Sequence, residues 1–197
     1  MRTQQRLQPG DALIIVDVQN DFLPGGALGV PHGNEVVPAL NRYIALFAAQ
    51  KLPVIATRDW HPPEHCSFQA QGGTWPPHCI AGTAGADFAA DLALPPSTVV
   101  LSKATERDRD AYSGFNGTDL AKQLRSLGVT RVFVGGLATD YCVLNTVVDA
   151  IASGFQVQFL KDAIRPVNVH PEDGTRAEQK MFSAGAKALT FDDVTGQ

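Results

Sequence analysis

The sequence predicts an α/β fold built on a parallel sheet with helices on both faces, and two observations carry that prediction. Short apolar runs rich in β-branched residues recur along the chain, and stretches with apolar residues at helical spacing lie between them. A strand covered on both faces has no polar side to show, so it reads as a continuous apolar run. Ala12 to Val18 (ALIIVDV) is such a run and is taken as the first strand. Further strands are expected at Val54 to Thr57, Thr98 to Leu101, Val132 to Val134 and Val157 to Leu160, with a weaker run at Ala188 to Phe191. The first helix is expected around Val37, Leu40, Tyr43, Ile44 and Phe47, with Pro38 in its first turn, where a missing N–H costs little. A second starts after Thr118 with Leu120, Leu124 and Leu127 and stops at Gly128, a natural C-terminal cap. A third runs from about Tyr141 to Ser153, ended by Gly154, and a fourth from Pro171 to Ala184.

Composition narrows the function classes. The 197 residues are 44% hydrophobic and 18% charged, enough for one domain with a continuous core, taken here as residues 1–197. Sixteen Lys and Arg against twenty Asp and Glu leave a net charge of −4 with no basic cluster, so nucleic acid is not an expected partner. No apolar stretch approaches the ~20 residues that span a bilayer, and Met1 to Gly10 is polar without a secretory pattern. A cytoplasmic protein that does not engage membranes is expected. Three cysteines, Cys66, Cys79 and Cys142, are too few and of the wrong parity for a disulfide framework, which leaves room for a chemical role for one thiol.

One stretch breaks the rhythm. Asp59 to Ala86 is rich in Gly, Pro, His and Trp and has no usable period, and long irregular segments in compact domains are usually functional. Asp59-Trp60-His61 follows the second strand, and three of the five histidines (His61, His65 and His78) fall within this segment. An Asp and a His two apart at an extended strand end point to one side, and a third ligand returning from the loop would complete a facial set for a divalent cation. Loop histidines making ordinary hydrogen bonds fit the same spacing. Gly135 to Cys142 (GGLATDYC) joins a strand to a helix and puts the Cys142 thiol in the helix's first turn, where free N–H groups and the dipole favour thiolate and an oxyanion. An inert buried thiol also fits that place. Asp17 closes the first strand, where a general base or a plain cap would sit, and Lys103 follows the third, as a surface cation or a thiolate-stabilising charge. All four features fall at strand ends, where ligands bind in open parallel sheets.

Taken together, Asp17-Val18-Gln19-Asn20-Asp21-Phe22 with Gly25-Gly26, Asp59-Trp60-His61-Pro62, Trp75-Pro76-Pro77-His78-Cys79, Lys103, Tyr112-Ser113-Gly114-Phe115 and Ala138-Thr139-Asp140-Tyr141-Cys142-Val143 resemble the nicotinamidase branch of the isochorismatase-like cysteine hydrolases, in family order from about residue 10 to 191. The resemblance implies a Rossmann-like three-layer sandwich with a six-stranded, mainly parallel sheet. It implies a catalytic Asp17, Lys103 and Cys142, an oxyanion hole from the N–H groups of Ala138 and Cys142, and a cis peptide between Leu137 and Ala138. One divalent metal (zinc, iron or manganese) is implied on Asp59, His61 and His78. Some relatives have a further His ligand, but its spacing differs from that of His65, which is therefore expected to bond within the loop and is kept as a candidate fourth ligand. Phe22, Trp75 and Tyr112 match positions that line the substrate ring; Tyr141 has no assigned role. Cys66 and Cys79 are read as structural.

The activity implied is hydrolysis of nicotinamide to nicotinate and ammonia through a cysteine thioester, with pyrazinamide as a further substrate. Relatives acting on carbamoyl compounds or isochorismate generally lack the Asp59, His61, His78 set. A noncatalytic metal-binding or redox-sensing protein is the alternative from another class. The choice of metal and the oligomeric state, a homo-oligomer included, stay open at the level of sequence.

Overall fold

The structure, a computed structural model, describes residues 5–196. The first four residues and Gln197 of the expected 1–197 domain lie outside that range. In chain order the elements are β1 (Asp11–Val16), α1 (Val36–Ala49), β2 (Val54–Asp59), β3 (Val99–Lys103), α2 (Leu120–Ser126), β4 (Arg131–Leu137), α3 (Leu144–Ala152), β5 (Gln156–Arg165), α4 (Asp173–Ala184), β6 (Lys187–Leu189) and α5 (Phe191–Thr195). All six strands pair in parallel in the order β3-β2-β1-β4-β5-β6. The chain builds outward from β1 to β3 on one side and then starts again at β4 on the other. The switch point, where a crevice opens at the carboxyl ends, therefore lies between β1 and β4.

Burial explains the apolar runs. Every residue of β1 and of β4 is buried. One core layer packs Leu13, Ile15 and Phe133 under Leu40, Tyr43 and Phe47 of α1; the other packs Ile14, Val132 and Val134 under Leu120, Leu124, Val147 and Met181 of α2, α3 and α4. Pro38 falls in the first turn of α1, where its missing N–H has no intrahelical acceptor. At the end of the strands remote from the crevice, the Arg131 guanidinium forms a bidentate pair with buried Asp11, with both N···O distances 2.7 Å.

Several boundaries differ from the sequence reading, and each has a local cause. β1 stops at Val16 because Asp17 turns into the left-handed region at φ 49°. β2 runs on to Asp59, and β3 starts at Val99 and ends at Lys103, so Asp59 and Lys103 are strand residues and register partners. β4 continues through Gly135 and Gly136 to Leu137. Gly136, at φ 125°, lies so close to the Val16 backbone that a Cβ would collide with it, and the pairing with β5 shifts register there. β6 is shorter than expected, because Thr190 leaves the strand to cap α5 in a reciprocal box with Asp193. Finally, the α-helix expected from Tyr141 begins at Leu144. Thr139–Val143 form a wider π turn, in which the Ala138 carbonyl accepts the Val143 N–H and the Asn145 amide donates to the Tyr141 carbonyl.

Candidate active site and metal centre

Three strand ends bring Asp17, Lys103 and Cys142 together beneath the crevice, all buried. Lys103 Nζ lies 2.8 Å from Asp17 Oδ2 and 3.5 Å from Cys142 Sγ, pairs with Asp59 Oδ1, and donates to the Ala111 carbonyl at 3.2 Å. Asp17 Oδ1 accepts the Thr57 hydroxyl at 2.7 Å. Its Oδ2 has the lysine charge beside it but no hydrogen bond of good geometry, so it retains accepting capacity facing the thiol.

Electrostatics sort these groups. Burial raises the Asp17 carboxyl against the opposing charge of Lys103, with Asp59 reinforcing the rise. Desolvation would raise Asp59 too, yet the Lys103 charge and His61 hold it well below the usual carboxylate range. Lys103 is pulled down by burial, but two carboxylates outweigh that and keep it firmly protonated. Burial pushes the Cys142 thiol up, opposed by Lys103 and reinforced by Asp17 and Asp59. Burial thus works against the thiolate that the free N–H groups of the turn favour, and the Lys103 charge works for it. The sulfur is desolvated in a turn that precedes the α-helix, and its proton faces a carboxylate able to take it.

Asp59 joins this cluster to a second one. While Oδ1 pairs with Lys103, Oδ2 lies 3.6 Å from His61 Nε2, and ligand atoms of Asp59, His61 and His78 all fall within 4.8 Å of one another. The Nδ1 atoms of His61 and His78 face the carbonyls of Ala104 (3.1 Å) and Pro76 (2.8 Å). A carbonyl only accepts, so each Nδ1 carries a hydrogen, which leaves Nε2 as the atom each ring can turn toward a cation. Burial also holds His78 below its ordinary pKa, favouring the neutral ring. One carboxylate and two oriented imidazoles suit a divalent cation.

His65 differs. It stacks on His61 with centroids 4.2 Å apart, but its Nε2 donates to the Arg109 carbonyl (3.1 Å) and its Nδ1 accepts the Ser67 hydroxyl (2.8 Å). Both of its ring nitrogens thus face partners within the polypeptide.

Above both clusters lies a cavity of about 490 Å³, mouth included. Asp59, His61, His78 and Cys142 reach it, whereas Asp17 and Lys103 lie beneath. Its walls include Phe22, Leu28, Val30, Trp75, Tyr112, Ala138, Tyr141 and Val167. Phe22 is packed into the core and also lines the cavity, its ring centroid 5.6 Å from that of His78. Trp75 Nε1 donates to Tyr112 Oη at 3.0 Å, and the Tyr141 ring packs edge-on against Trp75 at 5.1 Å. The Leu137–Ala138 peptide is cis. Cys66 and Cys79 are free thiols; Cys79 is packed in the core, and neither lines the cavity.

Sequence reasoning missed Thr57, Leu28, Val30 and Val167. Thr57 was visible as a polar residue in a buried strand, four residues before His61. Nothing local marks Val167, which arrives from the loop between β5 and α4.

Residues 11–193 match the family model of the isochorismatase domain. The chain belongs to the isochorismatase family. Within it, the nicotinamidase/pyrazinamidase of Mycobacterium tuberculosis is 44% identical over 180 residues, covering 87% of this chain and 95% of that protein. The pyrazinamidase of Pyrococcus horikoshii, solved in complex with zinc, is 51% identical with a TM-score of 0.89, covering 93% of this chain and 100% of that one. A protein of L. infantum solved with nicotinate is 38% identical with a TM-score of 0.88, covering 96% of each chain. No helix among the described residues of this family member is long and apolar enough to cross a membrane.

Proposed function

We propose that the chain is a cytoplasmic nicotinamidase, a single hydrolase domain that converts nicotinamide to nicotinate and ammonia and also accepts pyrazinamide. One observation carries the reading: a thiol beside an ion-paired carboxylate and a set of metal-ligating side chains open into the same small, ring-walled cavity. The resemblance to nicotinamidases and pyrazinamidases supports the choice of substrate.

Asp17 takes the thiol proton, and Lys103 stabilises the thiolate as it forms. Attack of the Cys142 sulfur on the carboxamide carbon places the oxyanion against the N–H groups of Ala138 and Cys142. Asp17 then gives its proton to the departing nitrogen, the C–N bond breaks, and ammonia leaves a thioester on Cys142. In the second half Asp17 accepts a proton from water as it attacks the thioester, and returns it to the sulfur when the acid leaves. Asp59, His61 and His78 would hold the divalent cation, which when bound supplies a Lewis-acid site for the ring nitrogen. Phe22, Trp75 and Tyr112 hold the ring so that the carboxamide reaches Cys142.

Ammonia release from nicotinamide, measured before and after chelation with benzamide as the ring-carbon control, tests the reading. Chelator-sensitive turnover of nicotinamide and poor turnover of benzamide are expected. Absence of ammonia from nicotinamide in metal-loaded protein would contradict it.

A further inference from the structure

The residues just after Asp17 grip the loop that carries the metal-ligating set, although none of them belongs to that set. Gln19 is fully buried and spends its amide on main chain: Oε1 accepts the Asp59 N–H at 2.8 Å, while Nε2 donates to the carbonyls of Asp59 (2.8 Å) and Ala86 (2.9 Å). Those are the first and last residues of the irregular 59–86 segment, so one side chain closes it. Two residues on, Asp21 Oδ2 accepts the Cys79 N–H at 2.7 Å. Cys79 follows His78 and sits at φ 46°, a region costly for a residue with a Cβ, so this bond holds a conformation the chain would otherwise leave. The Cys79 carbonyl in turn accepts the His61 N–H at 3.0 Å, tying together the two stretches of loop that present His61 and His78. On its other side the Asp21 carboxylate packs against Gly85 so closely that a Cβ there would overlap it.

We propose that Gln19 and Asp21 are positioning residues for the metal, a clasp that holds Asp59, His61 and His78 in coordinating geometry before the ion arrives. The proposal rests on the metal reading above. A ligand set already ordered loses little loop entropy on binding, so loosening the clasp is expected to speed release of the ion.

The test is zinc release into a chromogenic chelator from the zinc-loaded parent, Asp21→Ala, Asp21→Asn and Gly85→Ala. Asp21→Ala is expected to release zinc about tenfold faster or more. Gly85→Ala removes no hydrogen-bonding group but displaces the carboxylate, and should also release faster. Asp21→Asn keeps an oxygen that accepts the Cys79 N–H, and should recover part of the parent rate. Near-ultraviolet circular dichroism of the metal-free proteins should match that of the parent, because the clasp touches only the loop; a general loss of structure would flatten it. Release at the parent rate from both Asp21→Ala and Gly85→Ala, or a flattened near-ultraviolet spectrum in both, would overturn the proposal. If instead the parent takes up no zinc, or His61→Ala holds it as well as the parent, the metal reading falls and the clasp with it.

Discussion

The cysteine cluster and the proposed metal-ligating set meet at Asp59 but are built in opposite ways. Asp17, Lys103 and Cys142 come from chain segments far apart and are placed by β1, β3 and the turn after β4, so the sheet itself sets their distances. Asp59, His61 and His78 come from one strand end and its loop, which has almost no regular structure and is held by side chains reaching its backbone. On the proposed assignment, chemistry that needs sub-ångström placement sits on the rigid frame, and a binding set that a cation can itself help to organise sits on the loop. Substitutions in the first region should therefore act on turnover with little change in metal content, and those in the second on metal retention first.

The largest expected effect is that of Cys142→Ala. Removing the attacking atom should lower kcat by about 10⁴-fold or more, with thermal midpoint and zinc content near those of the parent, read by ammonia release, melting and metal analysis. Residual activity above that level would move the chemistry out of the rigid region.

Asp17→Asn comes next. An amide cannot take the thiol proton, and kcat should fall by roughly 10²–10⁴-fold with KM little changed. A change confined to KM would assign Asp17 to binding and blur the division between regions.

His61→Ala tests the other side. It should lose bound metal and most turnover of nicotinamide while leaving Cys142 alkylation intact, and full metal occupancy would remove the loop's proposed role. His65→Ala sharpens the contrast within the loop. It should retain metal and cost about 1–3 kcal/mol of stability, because the Arg109 carbonyl and Ser67 hydroxyl lose their partner. Metal loss to the level of His61→Ala would make His65 a ligand.

The smallest effect is a shift along the pH axis. Burial already raises the Cys142 thiol, and Lys103 opposes that rise. In metal-free Lys103→Met the opposing charge is gone, so alkylation of Cys142 should need higher pH than in the parent. An unchanged profile would mean that Lys103 serves Asp17 and Asp59 alone.

The same contrast governs how much was legible in the sequence. The parallel sheet and the convergence of Asp17, Lys103 and Cys142 follow from apolar runs that end at polar residues, because a parallel sheet aligns its carboxyl ends, whereas the order of the strands carries no such mark. Local geometry at those ends was less legible. The left-handed Asp17, the bulge at Gly136 and the π turn around Cys142 depend on neighbours brought close only by folding. In the loop, spacing marked His61, His65 and His78 alike. Only the hydrogen bonds of His65 to Ser67 and Arg109 separate it from the other two, and the spans from Gln19 to Ala86 and from Asp21 to Cys79 carry no local signal.

On the proposed mechanism, Cys142 carries the acyl group during hydrolysis of nicotinamide. Metal-loaded protein quenched in acid during turnover and digested for peptide mass analysis tests it most directly. The prediction is a nicotinoyl thioester on the peptide containing Cys142, absent without substrate and absent from Cys142→Ala. Steady ammonia release with Cys142 unmodified, or undiminished turnover by Cys142→Ala, would contradict it.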